Sequence, residues 1–265
     1  MQQFLEPVDV GHFDGVIIDC RFSLADAEEG ARLYSGGHIP GAQYLDLNQQ
    51  LSAPVAEHGG RHPLPDPSEF AETLASLGVS AQTPVLLYDD SRYAFAARCW
   101  WMMRALGFQP PKTLAGGYGA WTASGGEPQT QKENRSPVPV TAVPSAWPLC
   151  CDKAQLAALQ AQGARLVDAR EAARYRGEHE PIDPIAGHIP GAENRPWQDF
   201  SDAQGRFAEP RLIREIWGDL AEADTLVAYC GSGVSACVAI LSLAQIGRDD
   251  VWLYGGSWSD WCTYL

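Results

Sequence analysis

"GGHIPGAQYLDL" (36–47) returns as "AGHIPGAENRPW" (186–197), and the two blocks share the six residues GHIPGA. The repetition extends to both sides. Ahead of it, "GVIIDCR" (15–21) pairs with "ARLVDAR" (164–170), which sets Asp19 against Asp168. Behind it, "PVLLYDDSRYAFAARCWWMMRALGF" (84–108) pairs with "TLVAYCGSGVSACVAILSLAQIGR" (225–248), and "LAGGYGAW" (114–121) with "LYGGSWSDW" (253–261). Four blocks recur in one order with similar spacing, so the chain reads as a tandem duplication. The period of about 140 to 150 residues is the size of a domain and far longer than a solenoid repeat. Between the copies, "EPQTQKENRSPVPVTAVPSAWP" (127–148) is polar, then proline-rich, and has no sustained period. It reads as a surface linker. The expected division is a first domain over 1–126, the linker over 127–148 and a second domain over 149–265.

Within each copy, short β-branched runs alternate with longer helical patterns. "VIID", "PVLLY" and "KTLAGG" in the first copy, and "ARLVD", "TLVAY" and "VWLYGG" in the second, have the composition of buried strands. Between them, "DPSEFAETLASLG" (66–78) opens on Asp66, Pro67 and Ser68, places Glu69 and Glu72 early and stops at Gly78. Those are helix start and stop signals, and "CDKAQLAALQAQG" (151–163) follows the same logic. The alternation predicts an α/β fold of two tandem domains, each a parallel sheet flanked by helices.

Composition narrows the function. Of the 265 residues, 45% are hydrophobic and 20% charged, as in a globular protein rather than a disordered one. The net charge of −14, with only three lysines, repels polyanions and excludes nucleic acid as the main partner. "MQQFLEPVDV" lacks a basic region followed by an apolar run, and no stretch has the length that spans a bilayer. The expectation is a cytoplasmic protein with no membrane partner. Seven cysteines, an odd number, form no CxxC pair and do not sit with histidines at zinc-ligand spacing, which points to reduced thiols and to no metal. Cys20, Cys99 and Cys262 lie in apolar contexts and read as packing residues.

Cys230 is different. It stands at the carboxyl end of the strand "TLVAY", ahead of "GSGVS" and of the helical pattern "VSACVAILSLAQIG". Ligand sites of open parallel sheets form at that edge. Gly231 and Gly233 let the chain curl so that successive backbone N–H groups can surround an anion, and a helix N-terminus favours a thiolate. Ser232 and Ser235 add hydroxyl groups. In the first copy the position of Cys230 holds Asp89, which is expected to be polar and solvent-facing. There "DDSRYAF" (89–95) lacks the glycine pair, so its N–H groups are expected not to converge.

The two GHIPGA blocks, "YCGSGVSAC" (229–237) and the closing "YGGSWSDW" together resemble the two-domain rhodanese-type sulfurtransferases, over nearly the whole chain. The resemblance implies an inactive N-terminal rhodanese domain and a C-terminal one whose Cys230 forms a persulfide. It implies no cofactor, a small-molecule sulfur donor, and as acceptor cyanide or a thiol, a thioredoxin-like protein included. Within that family, a CGSGV or CGTGV loop without basic residues goes with 3-mercaptopyruvate, whereas basic loops go with thiosulfate. Cys230, Gly231, Ser232, Gly233 and Val234 fit the first type, and Ser235 keeps the hydroxyl that usually follows. Arg174 matches the family's first carboxylate-binding arginine. The second is expected about nine residues later, where this chain has Asp183, leaving Arg176 and Arg195 as substitutes. His62 in "GGRHPLP" matches the histidine that the family pairs with the loop serine, Ser232 here, and the accompanying acidic position falls at Asn48. His38 and His188, one in each GHIPGA block, read as structural.

Two other readings compete. A cysteine phosphatase needs an arginine at the end of a C-x5-R loop, and that position is Ala236. A non-enzymatic persulfide carrier, or a thiol redox sensor using Cys230 with Cys237, is set apart by turnover: an enzyme forms thiocyanate catalytically from donor and cyanide.

Overall fold

The structure, a computed structural model, describes residues 3–265. Among these described residues, ten strands form two parallel sheets of five. The first contains β1 (Phe4–Leu5), β2 (Val16–Asp19), β3 (Ala42–Tyr44), β4 (Val85–Tyr88) and β5 (Lys112–Leu114), in the order β1-β5-β4-β2-β3. The second contains β6 (Cys150–Cys151), β7 (Arg165–Asp168), β8 (Ala192–Asn194), β9 (Leu226–Tyr229) and β10 (Trp252–Tyr254), in the equivalent order β6-β10-β9-β7-β8. The duplicated sequence therefore encodes one α/β topology twice. β4 (VLLY) and β9 (LVAY) are buried throughout, as strands covered on both faces must be. The register sets Asp19 beside Tyr88 and Asp168 beside Tyr229.

Helices α1 (Glu29–Gly36), α2 (Pro67–Ser76), α3 (Ala96–Ala105) and α4 (Gly117–Ala123) accompany the first sheet. Helices α5 (Lys153–Ala161), α6 (Ala172–Tyr175), α7 (Pro210–Trp217), α8 (Ala236–Gln245) and α9 (Ser257–Trp261) accompany the second. The start signals act as expected. Asp66 caps α2 by accepting from Ser68 N, and Asp152 with Gln155 forms a capping box on α5. Sequence reading misses β3 and β8, which follow GHIPGA, and the two-residue strands β1 and β6. Such short strands carry too few residues to show a period.

Contacts divide the chain into two compact units. One holds the chain up to Ala53, Pro65–Pro148 and Ala203–Phe207; the other holds Pro54–Leu64, Leu149–Asp202 and Ala208–Leu265. Residues 127–148 contain no helix or strand and pack in the first unit, where His38 and Gln129 form an isolated bridge and Trp147 Nε1 donates to Pro65 O.

The shared residues build the same fixture in both units. Asp19 pairs with Arg21 and Asp168 with Arg170, each at 2.6 Å and almost fully buried. The repeated histidine stacks on a tyrosine, His38 on Tyr34 and His188 on Tyr175, each at 4.0 Å between rings. Each Nδ1 lies 2.7 Å from that tyrosine's carbonyl oxygen. Both histidines are therefore structural.

Candidate active site

β9 ends at Tyr229, so Cys230 is delivered at the carboxyl edge of the second sheet, between β7 and β10. Its backbone is pinned from β10 onward. The Cys230 N–H donates to Ser257 Oγ at 3.1 Å, Cys230 O accepts from Trp258 N at 3.0 Å, and Gly231 O accepts from Ser259 N at 2.9 Å. The closing "YGGSWSDW" block is therefore the support of the loop that begins at Cys230. Cys230 is buried, at 2% exposure. Beyond it the loop turns through Gly233 at φ 74°, a left-handed conformation that suits glycine, and α8 begins at Ala236. Cys237 faces inward on α8, with its Sγ donating to Gly233 O.

The equivalent loop of the first unit corrects two expectations. Asp89 is buried, at 2% exposure, not solvent-facing. Its Oδ1 accepts from the N–H groups of Ser91 and Tyr93 at 3.0 Å, and its Oδ2 from those of Phe95 and Ala96 at 3.0 and 2.9 Å. The N–H groups converge without a glycine pair because Arg92 and Tyr93 adopt positive φ (54° and 71°). That strained backbone is held by four bonds to one carboxylate. Burial raises the Asp89 carboxyl above the ordinary carboxylate range, while the four donors favour its charged form. Counting from the paired tyrosines, Ser232, Val234 and Ala236 occupy the positions of Ser91, Tyr93 and Phe95.

A second feature is a strap, residues 58–64, that belongs to the same compact unit as Cys230. His58 Nδ1 lies 2.8 Å from Thr263 Oγ1 and its ring stacks on Tyr264. Gly59 N donates to Asp260 Oδ1 at 2.7 Å, and Arg61 N donates to Ser259 Oγ at 3.1 Å. Gly60, at φ 78°, passes so close that a Cβ there would lie 2.3 Å from Gly256 O. The strap sets His62 Nδ1 at 2.8 Å from Ser232 Oγ, with both residues buried. Asn48, by contrast, belongs to the other compact unit, where its N–H donates to Asp46 Oδ1.

Arg174, on the short α6, is not a surface cation. Its side chain is 14% exposed and bonds Glu180 through Nε and Nη2, and its Nη2 also reaches Asp183 Oδ2 at 3.0 Å. Asp183 is in turn paired with Arg61. Sequence reading missed Arg61 and Glu180. The only hint was the arginine next to His62 in "GGRHPLP". The suggested substitutes lie elsewhere: Arg176 pairs with Glu178 at the surface, and Arg195 donates to the carbonyls of Ile216, Asn194 and Trp217.

The arrangement joins a buried cysteine, a glycine-containing loop, a serine–histidine pair and an arginine fixed by carboxylates. Such a set can host thiol chemistry on an anionic substrate. Comparison with known proteins agrees. The chain matches the family description "Rhodanese-like domain" over residues 1–124 and 152–264. It is 44% identical to the "Probable 3-mercaptopyruvate sulfurtransferase" of Pseudomonas aeruginosa, over 94% of this chain and 90% of that one. It is 30% identical to the thiosulfate sulfurtransferase of Mus musculus, over 92% of this chain and 84% of that one. The solved structure of 3-mercaptopyruvate sulfurtransferase from Leishmania major superposes with a TM-score of 0.87 at 31% identity, covering 100% of this chain and 75% of that one. The chain thus belongs to the rhodanese family, as a sulfurtransferase built from two rhodanese-like domains.

Proposed function

We propose that this sulfurtransferase takes the sulfur of 3-mercaptopyruvate onto Cys230 as a persulfide and passes it to a thiol or to cyanide. The observation that carries the proposal is the Asp89 carboxylate held by four backbone N–H groups in the sister loop. In aspartate the charged oxygen is the second atom beyond Cβ. In a cysteine persulfide the charged sulfur is also the second atom beyond Cβ. A loop of the same lineage after Cys230 therefore suits an anion at that distance, held by preorganised dipoles. Asp89 is the reason to regard the first domain as catalytically inactive.

In the first half-reaction the Cys230 thiolate attacks the sulfur of mercaptopyruvate. The S–S bond forms as the C–S bond breaks, and the electron pair leaves on carbon as the pyruvate enolate. The proton of the transferred SH group then reaches that carbon, releasing pyruvate and leaving the persulfide anion. Ser232 and His62, 2.8 Å apart, are suited to relay that proton. Arg174 pairs with the donor carboxylate, and Gly231, Gly233, Val234 and Ser235 shape the pocket around the sulfur. In the second half-reaction an acceptor thiolate or cyanide attacks the outer sulfur and regenerates the Cys230 thiolate. Two half-reactions through a covalent intermediate give ping-pong kinetics.

The donor choice rests on charge. The loop itself has no cationic side chain, and N–H dipoles alone compensate poorly for desolvating the thiosulfate dianion. Mercaptopyruvate brings one carboxylate, and a thiol that need not be desolvated as an ion. The reading also includes a reducing, cytoplasmic setting: none of the seven cysteines is in a disulfide, and no helix among the described residues is long and apolar enough to cross a membrane. A thioredoxin-like protein is a fitting physiological acceptor. The test is side-by-side kinetics with cyanide as acceptor. Mercaptopyruvate is expected to show the higher kcat/KM and thiocyanate to accumulate over many turnovers. A higher kcat/KM for thiosulfate would overturn the donor assignment, and a single stoichiometric burst would favour a carrier.

A further inference from the structure

Resting on the proposed mercaptopyruvate reading, we infer that Arg61 is the second carboxylate-binding arginine of the donor site, supplied by the strap next to His62. The family resemblance expects that arginine nine residues after Arg174, where this chain has Asp183. The missing charge is restored from another part of the chain. Asp183, whose side chain is 1% exposed, bridges the two cations: its Oδ1 pairs with Arg61 Nη1 and its Oδ2 with Arg174 Nη2. Each guanidinium thus spends one edge on a carboxylate and keeps another for the catalytic loop.

Both open edges point to one place. A Cβ on Gly231 would lie 3.0 Å from Arg61 Nη2 and 3.5 Å from Arg174 Nη1 and Nη2. Neither Arg61 Nη2 nor Arg174 Nη1 has a hydrogen-bond partner among the described residues. Gly231 follows the nucleophile directly, so the two groups flank the space in front of Cys230. Two planar guanidiniums at that spacing are matched to a carboxylate, one oxygen to each or both to one fork. The carboxylates around them, Asp183 and Glu180, offset the two positive charges and leave little surplus for a dianion. The clamp therefore favours the carboxylate of a 2-oxo acid whose third carbon carries the thiol.

The strap also fixes what can move. The Arg61 N–H donates to Ser259 Oγ, and Ser259 N donates to the carbonyl of Gly231, so Ser259 ties the Arg61 backbone to the loop it serves. His62, the next residue, meets Ser232. One short segment thereby brings an anion-binding group and a proton-relay group to the two ends of the same small substrate.

The test separates donor loading from discharge. Arg61→Ala and Arg61→Gln, each checked for folding by thermal denaturation, are compared with the unmodified enzyme and with Arg174→Ala. Loading is read as kcat/KM for mercaptopyruvate. Discharge is read as the rate at which 2-mercaptoethanol, an uncharged acceptor, removes sulfur from persulfide loaded at saturating donor. Both Arg61 variants are expected to lose about 10- to 100-fold in kcat/KM, chiefly through KM, in line with Arg174→Ala and with a lost charge-assisted hydrogen bond. Discharge is expected to stay within about 2-fold of the unmodified rate, given the scatter usual in such comparisons. An unchanged kcat/KM in both variants, or equal loss in loading and discharge, would overturn the inference. Failure of the unmodified enzyme to load Cys230 from mercaptopyruvate would instead sink the donor reading on which the inference rests.

Discussion

His62 and Ser232, 2.8 Å apart and both buried, are the pair to which the proposed mechanism gives the proton relay. On the proposed mechanism, replacing His62 by alanine leaves Cys230 and its loop intact but removes the proton path to the enolate. Single-turnover release of pyruvate should therefore slow by about 10²- to 10⁴-fold, the range of general acid–base catalysis. Stopped-flow measurement of pyruvate formation checks it; a slowing of less than about 3-fold would show that solvent, not His62, supplies the proton. The meeting of His62 with Ser232 was legible in the sequence because each sits inside a motif with a fixed spacing. Arg61 was not. Its significance comes from Asp183, which is 122 positions away and meets it only in the folded chain. Local spacing carries no trace of such a pair.

At the scale of the element, the loops after β4 and β9 show what a duplicated strand–loop–helix unit can do when its first residue changes. In the first copy a carboxylate completes the loop from within. Removing its charge while keeping its shape strands part of that set: in Asp89→Asn one oxygen is replaced by an amide nitrogen that cannot accept from Phe95 and Ala96, or from Ser91 and Tyr93. Each stranded buried donor costs about 1–3 kcal/mol, so the variant should unfold with a free energy lower by about 2 kcal/mol or more. Urea denaturation followed by tryptophan fluorescence reads this directly. A loss below about 0.5 kcal/mol, the level of an ordinary surface substitution, would mean that the four bonds do not hold the loop. The sequence misleads here because a glycine pair is not the condition for N–H convergence. Arg92 and Tyr93 reach positive φ without it, the strain being offset by the carboxylate. The helix starts were legible because Asp66 and Asp152 act within their own turns. β3 and β8 were hidden because three residues cannot display alternation.

Across the whole molecule, duplication has kept the scaffold, and the proposed chemistry falls to one copy. Both units keep the Asp–Arg pair and the stacked histidine, while the position after β4 holds Asp89 and the equivalent position after β9 holds Cys230. Of the other thiols, Cys20 is raised well above the thiol range by its bond with Cys99 and by burial, Cys151 is pushed up to about 12 by burial, and Cys262 is raised by burial. Cys237 is fully buried on α8. Cys20, Cys151 and Cys262 are therefore poor nucleophiles at neutral pH, because the thiolate is the reacting form. The measurement that tests the central claim most directly is peptide mass mapping of the protein after incubation with mercaptopyruvate, alongside Cys230→Ser. The expected result is one added sulfur, carried by the peptide containing Cys230 and lost on treatment with cyanide, with neither label nor thiocyanate from Cys230→Ser. Sulfur found on Cys237 or Cys151, or turnover surviving in Cys230→Ser, would contradict it.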